Sequence, residues 1–349
     1  RQALGIHAVL LAEDIPGENN TGPVRHDEPL LAQDEVLFHG QMVAWVVGES
    51  LAACRAAAAL LEVDYEPLPP IIGLPAAIAA GSYHTEPHAL KRGDTATALA
   101  TAPTRFEGVF EFGGQEHFYL ETHAVWAEAG EEGSVLVNSS TQHPSEIQAI
   151  VAEVLHLARH KVVVQAPRMG GGFGGKETQG NGFAALVALA AVKTGRPVRV
   201  QLDRDMDMKL TGKRHPFHAR FSIGHDNDGR LLAAQVELVS DGGWSLDLST
   251  AINDRALFHL DNAYYIPAVH FSGRVAKTNV TSHTAFRGFG GPQGMLVIEE
   301  IMDRVARQTG LPAEVVRERN LYHGTGETNR THYHEDIGDN RIQDIWAQV

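Results

Sequence analysis

Hydrophobic and polar residues alternate in several short segments of the chain, as in β-strands with one buried face. The clearest of these segments runs from Phe106 to Phe112. The segment Lys161–Gln165 is instead rich in valine and predicts a strand, because β-branched side chains fit a pleated sheet. Further strands are predicted at 135–137, 198–202 and 230–239.

Longer apolar segments predict helices. Residues 182–192 are almost entirely apolar and alanine-rich, which favours a helix buried on all sides. Residues 144–157 predict a second helix, and residues 299–309 predict an amphipathic helix that ends at Gly310. Because strands and helices are interspersed without a strict β-α-β rhythm, the chain is predicted to have an α+β fold rather than a doubly wound sheet.

The first part of the chain predicts a small α/β domain. Residues 42–47 predict a strand, and Ser50 is suited to cap a helix over 51–61. A second strand predicted at 63–65 would complete a β-α-β unit. Proline and glycine then recur through the next twenty or so residues, as in a linker. The predicted boundaries are residues 1–75 for the first domain, 76–94 for the linker and 95–349 for the larger domain.

Composition narrows the function classes. The net charge of −14 argues against the basic surface that nucleic-acid binding needs. Cys54 is the only cysteine, which excludes an internal disulfide, a cysteine-rich zinc site and an iron–sulfur cluster held by this chain alone. No apolar run is long enough to span a membrane. We expect a cytoplasmic protein without nucleic-acid or membrane partners. Because the sequence starts without methionine, we also expect it to be part of a longer polypeptide.

A glycine-rich loop, Arg168–Glu177, lies between a predicted strand and a predicted helix. Backbone N–H groups converge in such a loop, which can bind a phosphate or another anion. Gly170, Gly172 and Gly175 fit the dinucleotide-binding pattern G-x-G-x-x-G, but six residues separate Gly175 from the predicted helix. From these residues alone, a nicotinamide site and a purely structural glycine loop both stay open.

Polar and aromatic residues near other glycines are further candidates. Arg287 and Phe289 alternate with glycine, so a guanidinium suited to phosphate and a ring suited to stacking could both reach a ligand. A solvated surface turn is the alternative. Arg255 precedes an apolar run and could equally be a surface residue or form a structural ion pair. Glu177 follows the glycine loop and could equally complement a helix dipole.

Two common types of catalytic centre lack their motifs. The histidine pairs His215/His218 and His332/His334 lack the H-E-x-x-H pattern, so no metal ligands are assigned to the side chains of this chain. Ser139 and Ser140 lack the G-x-S-x-G elbow of a serine hydrolase.

Taken together, several motifs resemble the molybdenum-binding part of the molybdenum hydroxylases of the xanthine dehydrogenase family. In chain order these motifs lie at 113–121, 168–177, 195–199, 255–262 and 285–293. The resemblance covers nearly the whole chain. It implies a small α/β hammerhead-like domain, followed by the first half of a molybdopterin-binding domain.

The resemblance also implies roles for residues near a molybdenum-pterin cofactor. Gly172, Phe173 and Gly174 match the loop beside the metal and pterin, and Arg287 matches an arginine on the pterin side. Gln142 resembles the glutamine beside the apical oxygen of molybdenum.

Three further residues match positions that contact substrate in the family. Phe289 resembles a ring that stacks on the substrate. Glu177 and Arg255 resemble the polar pair that distinguishes purine-oxidising members from aldehyde oxidases. An arginine at this place can stabilise negative charge that develops on a heterocycle. Gln142, Glu177 and Arg255 are therefore the predicted catalytic residues.

The activity implied by the resemblance is oxidation of xanthine and hypoxanthine to urate with water-derived oxygen. Electrons would pass through 2Fe-2S clusters to FAD, both carried by other domains or a partner subunit. The family's catalytic base and further cofactor contacts lie in the second half of the molybdopterin domain, so residues 1–349 alone are expected to be inactive. The alternatives are an aldehyde oxidase or other molybdenum hydroxylase, and a nonenzymatic assembly module.

Overall fold

The computed structural model describes all residues from Arg1 to Val349. Eleven β-strands form three sheets: β1 Ile6–Leu10, β2 Trp45–Gly48, β3 His88–Arg92, β4 Thr104–Phe112, β5 Ala124–Ala129, β6 Val135–Ser139, β7 Val162–Gln165, β8 Val198–Gln201, β9 Phe217–His225, β10 Leu231–Asp241 and β11 Ala268–Ala276. Ten α-helices accompany them: α1 Leu51–Ala58, α2 Leu74–Ala80, α3 Thr95–Thr101, α4 Pro144–Val154, α5 Asn181–Thr194, α6 Arg204–Leu210, α7 Ser249–Phe258, α8 Gly291–Thr309, α9 Ala313–Asn320 and α10 Ile342–Trp346. The α+β prediction is confirmed.

The largest sheet has five strands in the order β3-β11-β10-β9-β4, and only β10 and β11 run parallel. Successive side chains of a strand point to opposite faces. In β10, Ala234 and Val236 belong to the core formed with α7 and α8, whereas Ala233 packs with α3 and Val239 with α2. Helices therefore cover both faces of this sheet.

The second sheet has four strands in the order β7-β6-β5-β8, and α4 and α5 complete its core. Helix α5 confirms the prediction of a buried helix at 182–192: every residue from Phe183 to Ala191 is buried. The small β1–β2 sheet contributes Leu10 and Val47 to this same core, together with Leu30 and Leu31 from the segment between the two strands. The N-terminal residues are thus packed against the later part of the chain.

The predicted β-α-β order of the first domain is wrong. Ser50 caps α1 as predicted, since its side chain accepts a hydrogen bond from the Ala53 amide at 3.2 Å. Residues 63–65, however, form no strand, and the side chains of Val63 and Tyr65 are exposed. Strand β2 pairs instead with β1, antiparallel and upstream in the chain. Without a neighbouring strand to accept its hydrogen bonds, a segment such as 63–65 stays irregular.

The segment predicted as a linker contains regular structure. Helix α2 begins just before residues 76–94 and continues into them, and strand β3 lies wholly within this segment. Leu74 and Ala77 of α2 are buried against Val239 and Ala276 of the large sheet. The proline and glycine residues therefore bound short elements here rather than mark a free tether. The division at residues 75 and 95 stays a prediction.

The other predicted elements occur at or near their expected positions. The strands at 106–112, 135–137, 161–165, 198–202 and 230–239 correspond to β4, β6, β7, β8 and β10, and the helix at 144–157 corresponds to α4. Helix α8 ends at Gly310 as predicted, but it begins at Gly291 rather than at residue 299. This earlier start places its first turn against α7.

Candidate functional site

The glycine-rich loop follows β7 and reaches α5 only after several further residues. Gly171 and Gly174 have φ angles of 94° and 102°, which L side chains rarely adopt. A Cβ atom at Gly174 would also lie 2.6 Å from the carbonyl oxygen of Ala285. Glycine at this position therefore allows the loop to contact the 285–293 segment through backbone atoms.

The side chain of Gln142 is anchored on the glycine loop. Its Oε1 accepts hydrogen bonds from the amides of Gly174, at 2.8 Å, and Lys176, at 3.3 Å. The Gln142 amide in turn donates to the Lys176 carbonyl at 2.8 Å. Because two N–H donors face one atom of the side-chain amide, that atom is the oxygen. The NH₂ group of Gln142 forms no hydrogen bond within the chain, and the residue is exposed, so this donor is available to a ligand.

This arrangement changes the interpretation of the loop as an anion cradle. Two of its amides, those of Gly174 and Lys176, bind Gln142 instead of a ligand. Helix α5 begins only at Asn181, with Gly180 as its N-cap, so its N-terminus does not directly follow the glycines. The structure therefore lacks the direct loop-to-helix turn of a dinucleotide site.

Arg287 and Phe173 contact each other across the loop. The Arg287 amide donates to the Phe173 carbonyl at 2.8 Å, and the guanidinium lies 5.7 Å from the centre of the Phe173 ring. The guanidinium forms no hydrogen bond or ion pair within the chain, and both side chains are exposed. An unpaired, exposed guanidinium beside an open ring is suited to a phosphate or another anion.

Phe289 lies in a strained turn between two glycines. Its φ angle is 48°, and those of Gly288 and Gly290 are 98° and 95°. A left-handed conformation costs a non-glycine residue on the order of 1–2 kcal/mol. The turn directs the chain into α8 and leaves Phe289 half-buried.

Arg255 lies on the exposed side of α7 and has neither a hydrogen bond nor an ion pair for its side chain. The first turn of α8 packs closely on this helix. A Cβ atom at Gly290 or Gly294 would overlap the carbonyl oxygens of Ile252 or Ala256, respectively. The close helix contact connects the Phe289 turn to the helix that carries Arg255. The structural ion pair is therefore absent, whereas a solvated surface residue stays open as the alternative for Arg255.

Glu177 is half-buried, and its carboxylate accepts no hydrogen bond and forms no ion pair. Burial raises the pKa of this carboxyl; the positive charge of His143 opposes the shift, and the negative charge of Glu146 adds to it. Because Gly180 caps α5, Glu177 lies outside the first turn of that helix, so the alternative of a dipole-complementing acid is wrong. No hydrogen bond or ion pair joins Glu177 to Arg255, and both charges remain without a partner.

The sequence alone did not identify the buried residues that hold the glycine-rich loop in place. Lys176 is fully buried, and its Nζ donates to Glu121 Oε2 at 3.0 Å and to Ser140 Oγ at 2.9 Å. His117 packs between the loop and the 285–286 segment, with its Nε2 2.7 Å from the Ala285 carbonyl oxygen and its ring 4.5 Å from that of Phe286. Glu121 and His117 lie in a motif that the resemblance includes, but nothing in the local sequence pairs them with the loop.

None of the helices combines the length and the apolar character that crossing a membrane would require.

The chain matches two protein families along its length. Residues 1–69 match the family described as aldehyde oxidase and xanthine dehydrogenase, a/b hammerhead domain. Residues 80–321 match the family described as molybdopterin cofactor-binding domain.

Among curated proteins, xanthine dehydrogenase of Drosophila subobscura is 46% identical over 336 residues, which covers 95% of this chain and 25% of that protein. Xanthine dehydrogenase/oxidase of Felis catus is 43% identical over 345 residues, which covers 99% of this chain and 26% of that protein. The chain thus spans about a quarter of the length of these relatives.

Solved structures share the fold over nearly the whole chain. Aldehyde oxidoreductase from Desulfovibrio gigas superposes with a TM-score of 0.90 at 29% identity, and the match covers 99% of this chain and 40% of that one. Quinoline 2-oxidoreductase from Pseudomonas putida 86 gives a TM-score of 0.86 at 27% identity, with 99% of this chain and 47% of that one covered.

Proposed function

Because the chain belongs to the aldehyde oxidase and xanthine dehydrogenase family of molybdenum hydroxylases, we propose that it forms part of an enzyme that oxidises xanthine and hypoxanthine to urate. The observation that carries this proposal is the pair of unpartnered charges, Glu177 and Arg255. A purine presents both carbonyl oxygens and ring N–H groups, so it can engage an acid and a guanidinium at once. An aldehyde has no N–H group for the acid.

The residues near the glycine loop fit a molybdenum-pterin cofactor. Glycine at position 172 leaves room for the Gln142 side chain, since a Cβ atom there would lie 2.5 Å from Gln142 Oε1. The free NH₂ group of Gln142 and the unpaired guanidinium of Arg287 supply donors for the oxygen atoms of such a group. Gly172, Phe173 and Gly174 would line it, and it would supply oxygen transfer from water and accept two electrons.

The remaining chemistry belongs to side chains of this chain. Phe289 would stack on the flat purine, which fixes the plane of the ring. Arg255 would stabilise negative charge that builds up on the purine as a carbon atom is attacked. Glu177 would accept a hydrogen bond from a ring N–H group. Its raised pKa means that it can also hold a proton and donate to a carbonyl oxygen nearer neutral pH than an ordinary glutamate.

The proposed enzyme needs more protein than these residues. Phe118, Leu120 and Phe173 are large apolar side chains exposed near the loop, and we propose that the second half of the molybdopterin domain covers them and supplies the catalytic base. Iron–sulfur clusters of the 2Fe-2S type and FAD would reside on other domains or a partner subunit. The proposed location of the assembled enzyme is the cytoplasm.

The test is metal analysis and a substrate screen on the intact gene product. We expect stoichiometric molybdenum, and turnover of xanthine well above turnover of aldehydes. If aldehydes or other heterocycles are turned over faster than xanthine, the enzyme is an aldehyde oxidase or another molybdenum hydroxylase rather than a xanthine dehydrogenase. Intact protein without molybdenum would favour a nonenzymatic assembly module. Purified residues 1–349 should hold little molybdenum and oxidise no purine.

A further inference from the structure

Lys176 is the one lysine whose side chain is fully buried. Its Nζ donates to Glu121 Oε2 at 3.0 Å, to Ser140 Oγ at 2.9 Å and to the Thr122 carbonyl at 3.4 Å. The ammonium also lies 4.7 Å from the centre of the Tyr119 ring. A buried cation needs such partners, because removal from water is costly unless charges and hydrogen bonds replace the lost hydration.

A single oxygen atom of Glu121 connects three segments of the chain. Its Oε2 accepts hydrogen bonds from Ser140 Oγ at 2.5 Å, from the Gly170 amide at 2.8 Å and from Lys176 Nζ. Gly170 and Lys176 lie at the two ends of the glycine run, and Ser140 lies two residues before Gln142. The Glu121–Lys176 pair therefore fixes both ends of the loop relative to the segment that carries Gln142.

The backbone of Lys176 also holds Gln142 directly. The Lys176 amide donates to Gln142 Oε1, and the Lys176 carbonyl accepts from the Gln142 amide. The anchored Nζ thus keeps in place the two backbone groups that determine which way the Gln142 side-chain amide faces. If Lys176 shifts, Oε1 loses one of its two donors and the amide can rotate.

We propose that Lys176, held by Glu121, is a positioning residue that keeps the NH₂ group of Gln142 directed at the cofactor. The effect on catalysis rests on the proposed function, whereas the effect on loop order does not. A purely structural role would lower stability and cofactor content together but leave the turnover per bound molybdenum intact. A positioning role requires that turnover per molybdenum falls.

The experiment uses Lys176→Met in the intact enzyme, with hydrogen–deuterium exchange measured on the cofactor-free form. We expect the amides of Gly170 and Gly174 to exchange at least about tenfold faster, because the hydrogen bonds that protect them open more often. In the loaded enzyme, kcat per bound molybdenum should fall about tenfold or more with KM changed less than about twofold, as expected when an interaction of the transition state is lost.

Arg317→Met is the control. It breaks a partly buried ion pair with Glu299 and Asp303 on α8, in the other core. This variant should lower the melting temperature without changing loop exchange or kcat. If Lys176→Met does not fold, Ser140→Ala serves instead, since it removes one partner of both Lys176 and Glu121; it should give the same changes on a smaller scale.

Normal loop exchange together with normal kcat per molybdenum would overturn the proposal, and so would faster exchange with unchanged kcat per molybdenum. If the wild-type enzyme oxidises a substrate other than xanthine, the same ratio is measured on that substrate. Failure of the proposed purine chemistry is then distinguished from failure of the positioning role.

Discussion

Gly172 lies directly against Gln142: a Cβ atom at position 172 would be 2.5 Å from Oε1 and 2.9 Å from Cδ of that side chain. The backbone of Gly172 has no positive φ angle, so alanine fits its conformation. Gly172→Ala should therefore displace the Gln142 amide and little else. We expect kcat of the intact enzyme to fall about tenfold or more, with the melting temperature nearly unchanged.

Gly113→Ala is the matched control, because a Cβ atom there meets no atom within 4 Å. Steady-state kinetics and melting curves on both variants give the comparison. Unchanged kcat in Gly172→Ala would argue that the direction of the Gln142 amide does not matter for turnover.

Arg255→Met should reduce turnover of xanthine by about two to three powers of ten. One oriented donor to a developing anion contributes roughly 3–4 kcal/mol to the transition state. Aldehydes make no such contact and should lose less. Because Arg255 has no ion pair within the chain, the melting temperature should stay near the wild-type value.

The control for this variant is Arg199→Met, which removes another exposed arginine on β8. Rates on xanthine and on an aldehyde are measured for both. Equal losses on the two substrates in Arg255→Met would mean that the arginine does not recognise the purine.

Glu177→Gln should weaken binding or slow turnover of xanthine while molybdenum content stays the same. Glutamine keeps the shape but replaces a pure acceptor by a mixed donor and acceptor. Burial raises the pKa of Glu177, so ionisation of this carboxyl disfavours the folded state. Removing the charge should therefore leave the melting temperature unchanged or slightly higher.

Melting temperature, metal content and kinetics are measured on one preparation of this variant. A lower melting temperature with normal purine kinetics would contradict the substrate-binding role of Glu177 and indicate that this residue stabilises the fold instead.

Glu28→Gln should change how stability depends on pH. Burial, together with the negative charges of Asp247 and Asp27, raises the pKa of Glu28 to about 8. The hydrogen bond from Ser245 opposes this shift but does not cancel it. Between its ordinary pKa of 4.5 and about 8, the unfolded chain releases this proton while the folded protein keeps it. Stability therefore falls as pH rises through this range, by at most about 1.4 kcal/mol per pH unit.

The variant cannot ionise, yet its Oε1 can still accept the hydrogen bond that Ser245 donates to Glu28 at 2.6 Å. Its melting temperature should equal that of the wild type below pH 4.5 and exceed it increasingly toward about pH 8. Exposed Glu131→Gln is the control and should follow the wild type. A constant difference across the pH range would contradict a raised pKa for Glu28.

The sequence predicted elements well where a single segment carries the whole signal. The buried helix α5 follows from its continuous apolar run, and β4 from strict alternation. The start of α8 did not, because Gly291 and Gly294 are typical of a loop. In the structure these glycines allow α8 to approach α7, since a Cβ atom at Gly294 would overlap the Ala256 carbonyl oxygen. The contact between α7 and α8 depends on the tertiary structure, so the local sequence does not predict it.

The same limit applies to the site. The resemblance assigned Gln142, but the hydrogen bonds from the Gly174 and Lys176 amides join parts of the chain that no local pattern relates. Lys176 follows the glycines and gives no sign that it will be fully buried. Its partners Glu121 and Ser140 become neighbours only through the packing around the four-stranded sheet. Tertiary contacts of this kind override local pattern, as they also do at 63–65.

The core shared by the β1–β2 sheet and α5 has a consequence for how the polypeptide is made. Leu10, Leu30, Leu31 and Val47 bury against residues of α4 and α5 that the ribosome adds much later. At about 5–20 residues per second, the N-terminal segment must wait on the order of ten seconds for these contacts. During that time its apolar side chains are unprotected. Leu10, Leu30, Leu31 and Val47 therefore stay without their packing partners until α4 and α5 have left the exit tunnel.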